Sequence, residues 1–424
     1  MLLLNFYIFI FLLSFTFTSA AFIPNGRYFH SSALIDKKLY FSGGMKSYGI
    51  TNEFFYLNVS KPFTTTDNVS IPWIDLTYSG GPLKGAATAC IGGKNNDMIF
   101  IFGIGSNSQS FVNQFDTSKQ QWINITSVGN VPTDRQDISC ANFDNGLIAI
   151  FSGFGLNITN NLWIFNTLTL TWSLSNATNA PSSVNGYCAV TLPDGNILYI
   201  GGNMPMNNLP LYNTKSDTWT TSISGQTPSA RRFFSAVLCY LTISVNVLSI
   251  KFLNKCFKYK SFFDSSFKLK ASDGRIIIFG GSNTSTIFGD LWILDITMFQ
   301  WSIGTILNPI MDLTLYYHTA TLVDNYMFVS FGMFQNSTIS SKIFMLDVSQ
   351  KDYYKWVTEF TPTATNTTTT TTTTTTKATT SSSNTSSESK NTCIIIGAII
   401  GSIISLIIVV IASILTLKFI DKQM

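Results

Sequence analysis

The chain is built on short apolar runs that stop at glycine. Ile276-Ile-Ile-Phe279 is followed by Gly280 and Gly281, and Leu39-Tyr-Phe-Ser42 by Gly43 and Gly44. Runs this short, bounded by glycine, predict buried β-strands, because a helix needs a longer apolar pattern. Beyond each glycine stop lies a polar gap. A second apolar run then ends in Asn or Asp, as in Phe54-Phe-Tyr-Leu-Asn58 and Leu291-Trp-Ile-Leu-Asp295, and a Trp closes the unit. A strand of smaller residues, such as Arg27-Tyr-Phe-His30-Ser-Ser-Ala-Leu34, opens it. One unit has too few faces to bury its own side chains, so its meaning lies in its recurrence.

Six units share this order. The glycine stops fall at Gly43, Gly103, Gly153, Gly201, Gly280 and Gly332, paired with a second glycine at Gly44, Gly202 and Gly281, while Gly103 and Gly332 lack a following glycine. The closing tryptophans are Trp73, Trp122, Trp172, Trp219, Trp301 and Trp356, spaced 47 to 55 residues apart except for one gap of 82. A period of roughly 50 with glycine before Trp resembles the kelch repeat. The resemblance spans residues 22–360. It implies an all-β chain folded as a six-bladed kelch β-propeller, each repeat a four-stranded blade around a central channel. Ring closure removes the open ends of a linear array.

The long gap lies in the fifth unit. Residues 239–270 separate its opening strand from its glycine-ended strand, and removing these 32 residues restores a Trp spacing of 50. The segment lacks glycine, Trp and glycosylation sequons, and it carries six lysines and one acid. Two readings follow. The preferred one is translated intron or a late insertion outside the fold; the other is a loop protruding from the fifth blade.

The chain ends read differently. Residues 1–20 are apolar and finish in small residues, which predicts a signal peptide cleaved after Ala20 or Ala21, with a retained anchor as the competing reading. Residues 361–392 include ten consecutive threonines, Thr367 to Thr376, and predict a disordered Thr/Ser-rich stalk. Residues 393–417 are apolar and uncharged, which predicts one C-terminal transmembrane helix, with Lys418 and Lys422 placing tail 418–424 in the cytoplasm. Gly397 and Gly401 form Gly-x-x-x-Gly, a candidate helix-dimer face. Sequons at Asn58, Asn68, Asn124, Asn157, Asn176, Asn283, Asn336, Asn366 and Asn384 are candidate glycan acceptors in a secreted chain. These features together predict a single-pass protein of the plasma membrane with its propeller outside the cell.

Composition narrows the chemistry. Charged residues make up 11% of the chain, aromatics 14%, and the net charge is +4. The insertion accounts for that excess, since the remainder holds 20 basic and 21 acidic residues. No nucleic-acid surface is expected. Some extracellular kelch propellers resemble galactose oxidase, a copper enzyme requiring two histidines, tyrosines and a Tyr–Cys crosslink. Here His30 and His318 are the only histidines, at matched places in the first and last repeats. They read as structural, without a third imidazole for copper. Cys90, Cys140 and Cys188 each precede their glycine by 13 residues, the offset of His30. The preferred reading is a small buried residue on each opening strand; the sharper alternative is a His–Cys ring near the channel that holds zinc, and a disulfide between neighbouring blades stays open. Asp134 and Asp137 read as solvated. No metal, cofactor or catalytic residue is assigned. The expected function is a non-enzymatic cell-surface recognition module binding a protein or glycan through its loops, with a galactose-oxidase-like enzyme or a structural surface glycoprotein as alternatives.

Overall fold

Each glycine-ended run is the second strand of a four-stranded antiparallel sheet in the computed structural model, and six such sheets follow one another along the chain. The structure describes residues 21–105, 110–144, 146–155, 159–223, 225–245 and 267–363. The expected signal peptide, stalk, transmembrane helix and cytoplasmic tail lie outside them, as do Gly397, Gly401, Asn157, Asn366, Asn384 and insertion residues 246–266. Among the described residues no helix is long and apolar enough to cross a membrane.

Blade 1 is Ser31–Ile35, Lys38–Ser42, Phe54–Asn58 and Trp73–Asp75. Blade 2 is Thr88–Gly92, Met98–Phe102, Val112–Asp116 and Gln121–Ile123. Blade 3 is Cys140–Phe143, Leu147–Phe151, Leu162–Asn166 and Thr171–Leu174. Blade 4 is Tyr187–Thr191, Ile197–Gly201, Asn208–Asn213 and Thr218–Ile223. Blade 5 is Ser235–Val245, Phe267–Phe279, Leu291–Asp295 and Gln300–Ile303. Blade 6 is Thr319–Val323, Tyr326–Ser330, Ile343–Asp347 and Lys355–Val357. Strand order within every sheet follows chain order, so each blade is an up-and-down meander.

The core is divided among the six blade interfaces. Each holds one apolar cluster, from Tyr40 and Phe54 against Ile101 and Phe115 between blades 1 and 2 to Leu39, Phe41 and Phe55 against Phe328 and Phe331 between blades 1 and 6. The tryptophans have a direction. Trp172, Trp219, Trp301 and Trp356 each pack into the cluster shared with the preceding blade. Trp122 does the same from a partly buried position, and Trp73 packs against Phe331 of blade 6. The first blade therefore leans on the last, as a ring requires. Each large aromatic contributes on the order of 1.5–3 kcal/mol through burial.

The glycine stops join neighbouring blades. Gly44, Gly153, Gly202, Gly281 and Gly332 donate their N–H groups to the carbonyls of Lys84, Val184, Arg231, Leu315 and Arg27 of the next blade. A methyl group on Gly43 would lie 2.3 Å from the Lys84 oxygen, so the approach leaves no room for a side chain. These bonds also correct the glycine alignment. Gly153 and Gly332 occupy the second place of the pair, and the first place is held by Ser152 (φ 50°) and Phe331 (φ 58°) in the left-handed region. In blade 2 it is the second glycine that is missing, replaced by Ile104.

The ends of the insertion continue blade 5. Leu241–Val245 pairs with Phe267–Ala271 beyond a register shift between Leu238 and Tyr240. Cys239, expected to lie outside the fold, is 2% exposed within the cluster between blades 5 and 6. A short ladder then fastens the ring: Phe63–Thr64 of blade 1 pairs with Glu359–Phe360 at the end of the described propeller.

Candidate functional site: the channel mouth

The six opening strands lie innermost and line a central channel of about 250 Å³. A residue one to three places before each opening strand forms its mouth: Phe29, Ala86, Asp137, Gly186, Phe233 and Tyr317. All six have positive φ, between 52° and 67°. Their peptide groups form a closed circle. Ala86 N–H donates to Phe29 C=O, Asp137 to Ala86, Gly186 to Asp137, Phe233 to Gly186, Tyr317 to Phe233 and Phe29 to Tyr317, at 2.8–3.1 Å. The left-handed conformation costs on the order of 1 kcal/mol or more for a non-glycine residue. Each bond returns a comparable amount, about 0.5–1.5 kcal/mol.

This circle realigns the chemistry-bearing residues of the inner strands. His30 and His318 stand one place after it, Cys188 two, Cys140 three and Cys90 four. The three cysteines are therefore not equivalent, and none shares the place of His30. Equal spacings back from the glycines arise from hairpins of unequal length. The stagger sets Cys90 beside Cys140 on neighbouring inner strands, and they form a disulfide with Cα atoms 6.2 Å apart. The preferred expectation of a simple small buried residue fails for this pair. Half-buried Cys188 and buried Cys239 are free thiols, which burial pushes up to about 12.

The histidines stitch blades together. His30 Nε2 lies 2.9 Å from Thr319 Oγ1 of blade 6, and His318 Nε2 lies 2.8 Å from Ser235 Oγ of blade 5. Burial holds both imidazoles neutral, His318 down to about 3 and His30 well below its usual range. Tyr187 takes the corresponding place in blade 4 and donates its hydroxyl to the carbonyls of Ser139 and Phe151 in blade 3. Among the described residues no group of three or more His, Cys, Asp or Glu is arranged to hold a metal. Each imidazole is bonded through Nε2 to a hydroxyl of the neighbouring blade.

Buried cations brace the glycine ends. Arg27, Arg135 and Arg231 donate to the carbonyls of Gly43, Ser152 and Gly280 in their own blades. Lys84 does the same for Gly103 at 2.6 Å, and adds Ser110 and Phe111. Arg27 and Arg231 also pair with Glu53 and Asp290. These cations recur one per blade in four blades, a sequence signal overlooked beside the glycines.

The mouth is asymmetric. Phe29, Phe233 and Tyr317 form one aromatic half, with Phe29 and Phe233 rings 3.8 and 4.4 Å from that of Tyr317. Tyr28 and Tyr316 extend it outward. Ala86, Asp137 and Gly186 form the other half. Arg232 lies over the Phe233 ring at 4.6 Å, crosses bare Gly186, bonds Asn185, and reaches within 3.9 Å of the Asp137 carboxylate. Asp137 is thus a partly desolvated channel residue, not a solvated one. Burial raises it to about 6, against the attraction of Arg232. Asp134, by contrast, is exposed as expected. Beside the aromatic half runs a groove of about 670 Å³ that includes Asn203, Arg232, Phe233, Asn283 and Tyr317. Of the sequon asparagines in the described residues, Asn68, Asn124, Asn176, Asn283 and Asn336 are exposed and Asn58 is half-buried.

The family model described as the KLHDC2/KLHL20/DRC7 Kelch-repeats domain matches residues 13–153 and 73–245. The chain belongs to the kelch-repeat family. Kelch domain-containing protein 3 of Bos taurus and of Homo sapiens are each 24% identical to this kelch chain over 196 residues, 43% of this chain and 49% of the relative. The chain thus spans about half the length of the curated relatives it matches. The solved structure of YjhT is similar at a TM-score of 0.56 and 12% identity, over 80% of this chain and 100% of that one, which speaks for the fold alone. Kelch propellers are in general protein-interaction scaffolds, and kelch-domain homologues are generally non-enzymatic.

Proposed function

We propose that this kelch propeller is a cell-surface recognition protein, held by its apolar C-terminal segment, that binds a protein partner at the channel mouth. The observation that carries the binding part is the half-buried patch of Tyr28, Phe29, Phe233, Tyr316 and Tyr317 beside Arg232. Tyr and Arg anchors of this kind dominate protein interfaces, because they bring large contact area and directed hydrogen bonds at modest entropic cost. The rigid circle beneath them pre-organises the patch, which lowers the ordering cost of association. The loops between second and third strands and the links between blades emerge on this same face. Surface placement is supported by the sequence features at both chain ends and by the exposed sequons.

The test uses the full-length chain on intact cells. Surface biotinylation and sensitivity to external protease report its placement. A photo-crosslinking residue at Tyr316 should capture a discrete partner, and one at Leu168, exposed on the opposite face, should not. Arg232→Glu should abolish the Tyr316 product. A protease-protected chain would overturn the surface placement, and equal crosslinking at both positions would overturn the mouth as the binding face.

A further inference from the structure

The groove beside the mouth carries a sequon on its own wall. Asn283-Thr284-Ser285 follows the second strand of blade 5, and Asn283 and Thr284 both line the groove with Arg232, Phe233 and Tyr317. Asn283 is exposed, as an acceptor must be. Its side chain is also held. The Oδ1 atom accepts from the N–H groups of Ser285 (2.9 Å) and Thr286 (2.8 Å) and from the Ser285 hydroxyl (3.2 Å). The sequon hydroxyl therefore already bonds the acceptor amide, and the amide nitrogen is left for attachment.

The groove is suited to the first sugars of such a chain. Its volume of about 670 Å³ falls within the range of about 300–1,000 Å³ typical of small-molecule sites. It offers aromatic side chains at Phe233 and Tyr317 for sugar C–H groups, and polar groups at Asn203, Ser282 and Arg232 for sugar hydroxyls. Arg232 is the charged groove side chain that stays open, since Arg231 is fully buried and paired with Asp290. The exposed sequon at Asn336 has the corresponding turn, with Thr338 bonding its Oδ1, but it stands after the second strand of blade 6 and does not line this groove.

We propose that Asn283 carries an N-linked glycan whose first sugars lie in the groove against Phe233 and Tyr317, so that the chain's own carbohydrate limits access to Arg232 and to the adjoining mouth. This rests on the reading that the chain enters the secretory pathway.

The experiment uses full-length protein from a secretory-competent cell. Glycopeptide mass spectrometry assigns occupancy at every sequon. Phenylglyoxal, an arginine-specific reagent, then reports the accessibility of Arg232, read by peptide fragmentation that separates it from Arg231. Arg232 should react several-fold faster in Asn283→Gln, and equally so in Ser285→Ala, which keeps the asparagine side chain. Asn336→Gln should leave the rate unchanged. An occupied Asn283 with no rate difference overturns the proposal alone, as does an unoccupied Asn283 in a chain glycosylated elsewhere. A chain with no glycan at any sequon overturns both this proposal and the secretory reading beneath it.

Discussion

Phe360 lies directly opposite Phe63 across a two-residue ladder, with ring centroids 5.1 Å apart. Through that pair the end of the propeller clasps the loop between the third and fourth strands of blade 1. Each blade is a meander of consecutive strands, so no blade mixes strands from both ends of the chain. Closure depends instead on contacts across the seam: this clasp, Trp73 against Phe331, the peptide hydrogen bonds from Phe29 to Tyr317 and from Gly332 to Arg27, and the His30–Thr319 bond. Phe360 is fully buried and also meets Tyr326 and Phe328. Phe360→Ala is expected to destabilise the propeller by about 3–5 kcal/mol through the cavity it leaves. Denaturant unfolding checks this, and an unchanged midpoint would mean that the ring closes without the clasp.

The Cys90–Cys140 bridge ties blades 2 and 3 across a separation of 50 residues. Its removal is expected to cost about 2–5 kcal/mol. Cys188 and Cys239 should behave oppositely. With their thiols pushed up to about 12 by burial, almost no thiolate exists at neutral pH to react. Unreduced peptide mapping should return the Cys90–Cys140 peptide pair, and native protein should leave both thiols unlabelled by maleimide until unfolded. Rapid labelling of Cys188 in the folded protein would contradict its placement.

The channel histidines predict an acid-sensitive ring. His318 is held down to about 3, whereas an unfolded His titrates near 6.5. Between these values the unfolded chain binds a proton that the native chain refuses, so stability falls as pH drops below about 6.5. His30 acts in the same direction. Asp137 acts oppositely: raised to about 6, it makes stability fall as pH rises from about 4 to 6 and then level off. One proton corresponds to about 1.36 kcal/mol per pH unit. His318→Gln should therefore flatten the acid limb of the stability curve by about that slope, and Asp137→Asn should steepen it. Parallel curves for His318→Gln and wild type would refute the assignment.

The six-fold count, the strand order within each blade and the six tryptophans were legible in the sequence because each depends on local pattern and a repeated period. The circle at the mouth was not. Phe29 and Phe233 adopt a left-handed conformation that their own propensities oppose, and the circle of six peptide bonds overrides it only once the ring exists. The cysteine register was hidden for a related reason. Blade 1 turns between its first two strands with Asp36 and Lys37, whereas blade 2 uses residues 93–97, so counting back from a glycine reaches different depths on different blades. Asp137 looked solvated because its burial comes from Arg232, which is distant in sequence and reaches over Gly186.

Without residues 239–270 the chain would run Leu238-Ala271-Ser272-Asp273-Gly274-Arg275, which matches Thr191-Leu192-Pro193-Asp194-Gly195-Asn196 of blade 4 place for place. The turn chemistry is already present on the far side. Gly274 has φ 85° and Gly195 φ 89°. Arg275 N–H donates to Asp273 Oδ1 at 3.0 Å, and Asn196 N–H donates to Asp194 Oδ1 at the same distance. Arg275 is further held to blade 6 through Tyr354, Gln350 and Val348, none of which depends on the insertion. Among the described residues the deletion removes the core side chain Cys239, whose place falls to the slightly smaller Ala271, and the partly buried Tyr240 at the edge of the cluster between blades 4 and 5. Deleting 239–270 should therefore leave a soluble chain with a single cooperative unfolding transition, an intact Cys90–Cys140 bridge, and stability reduced by no more than about 1–2 kcal/mol, the scale of a small core truncation. Loss of cooperative unfolding would show instead that the inserted ribbon is an integral part of blade 5.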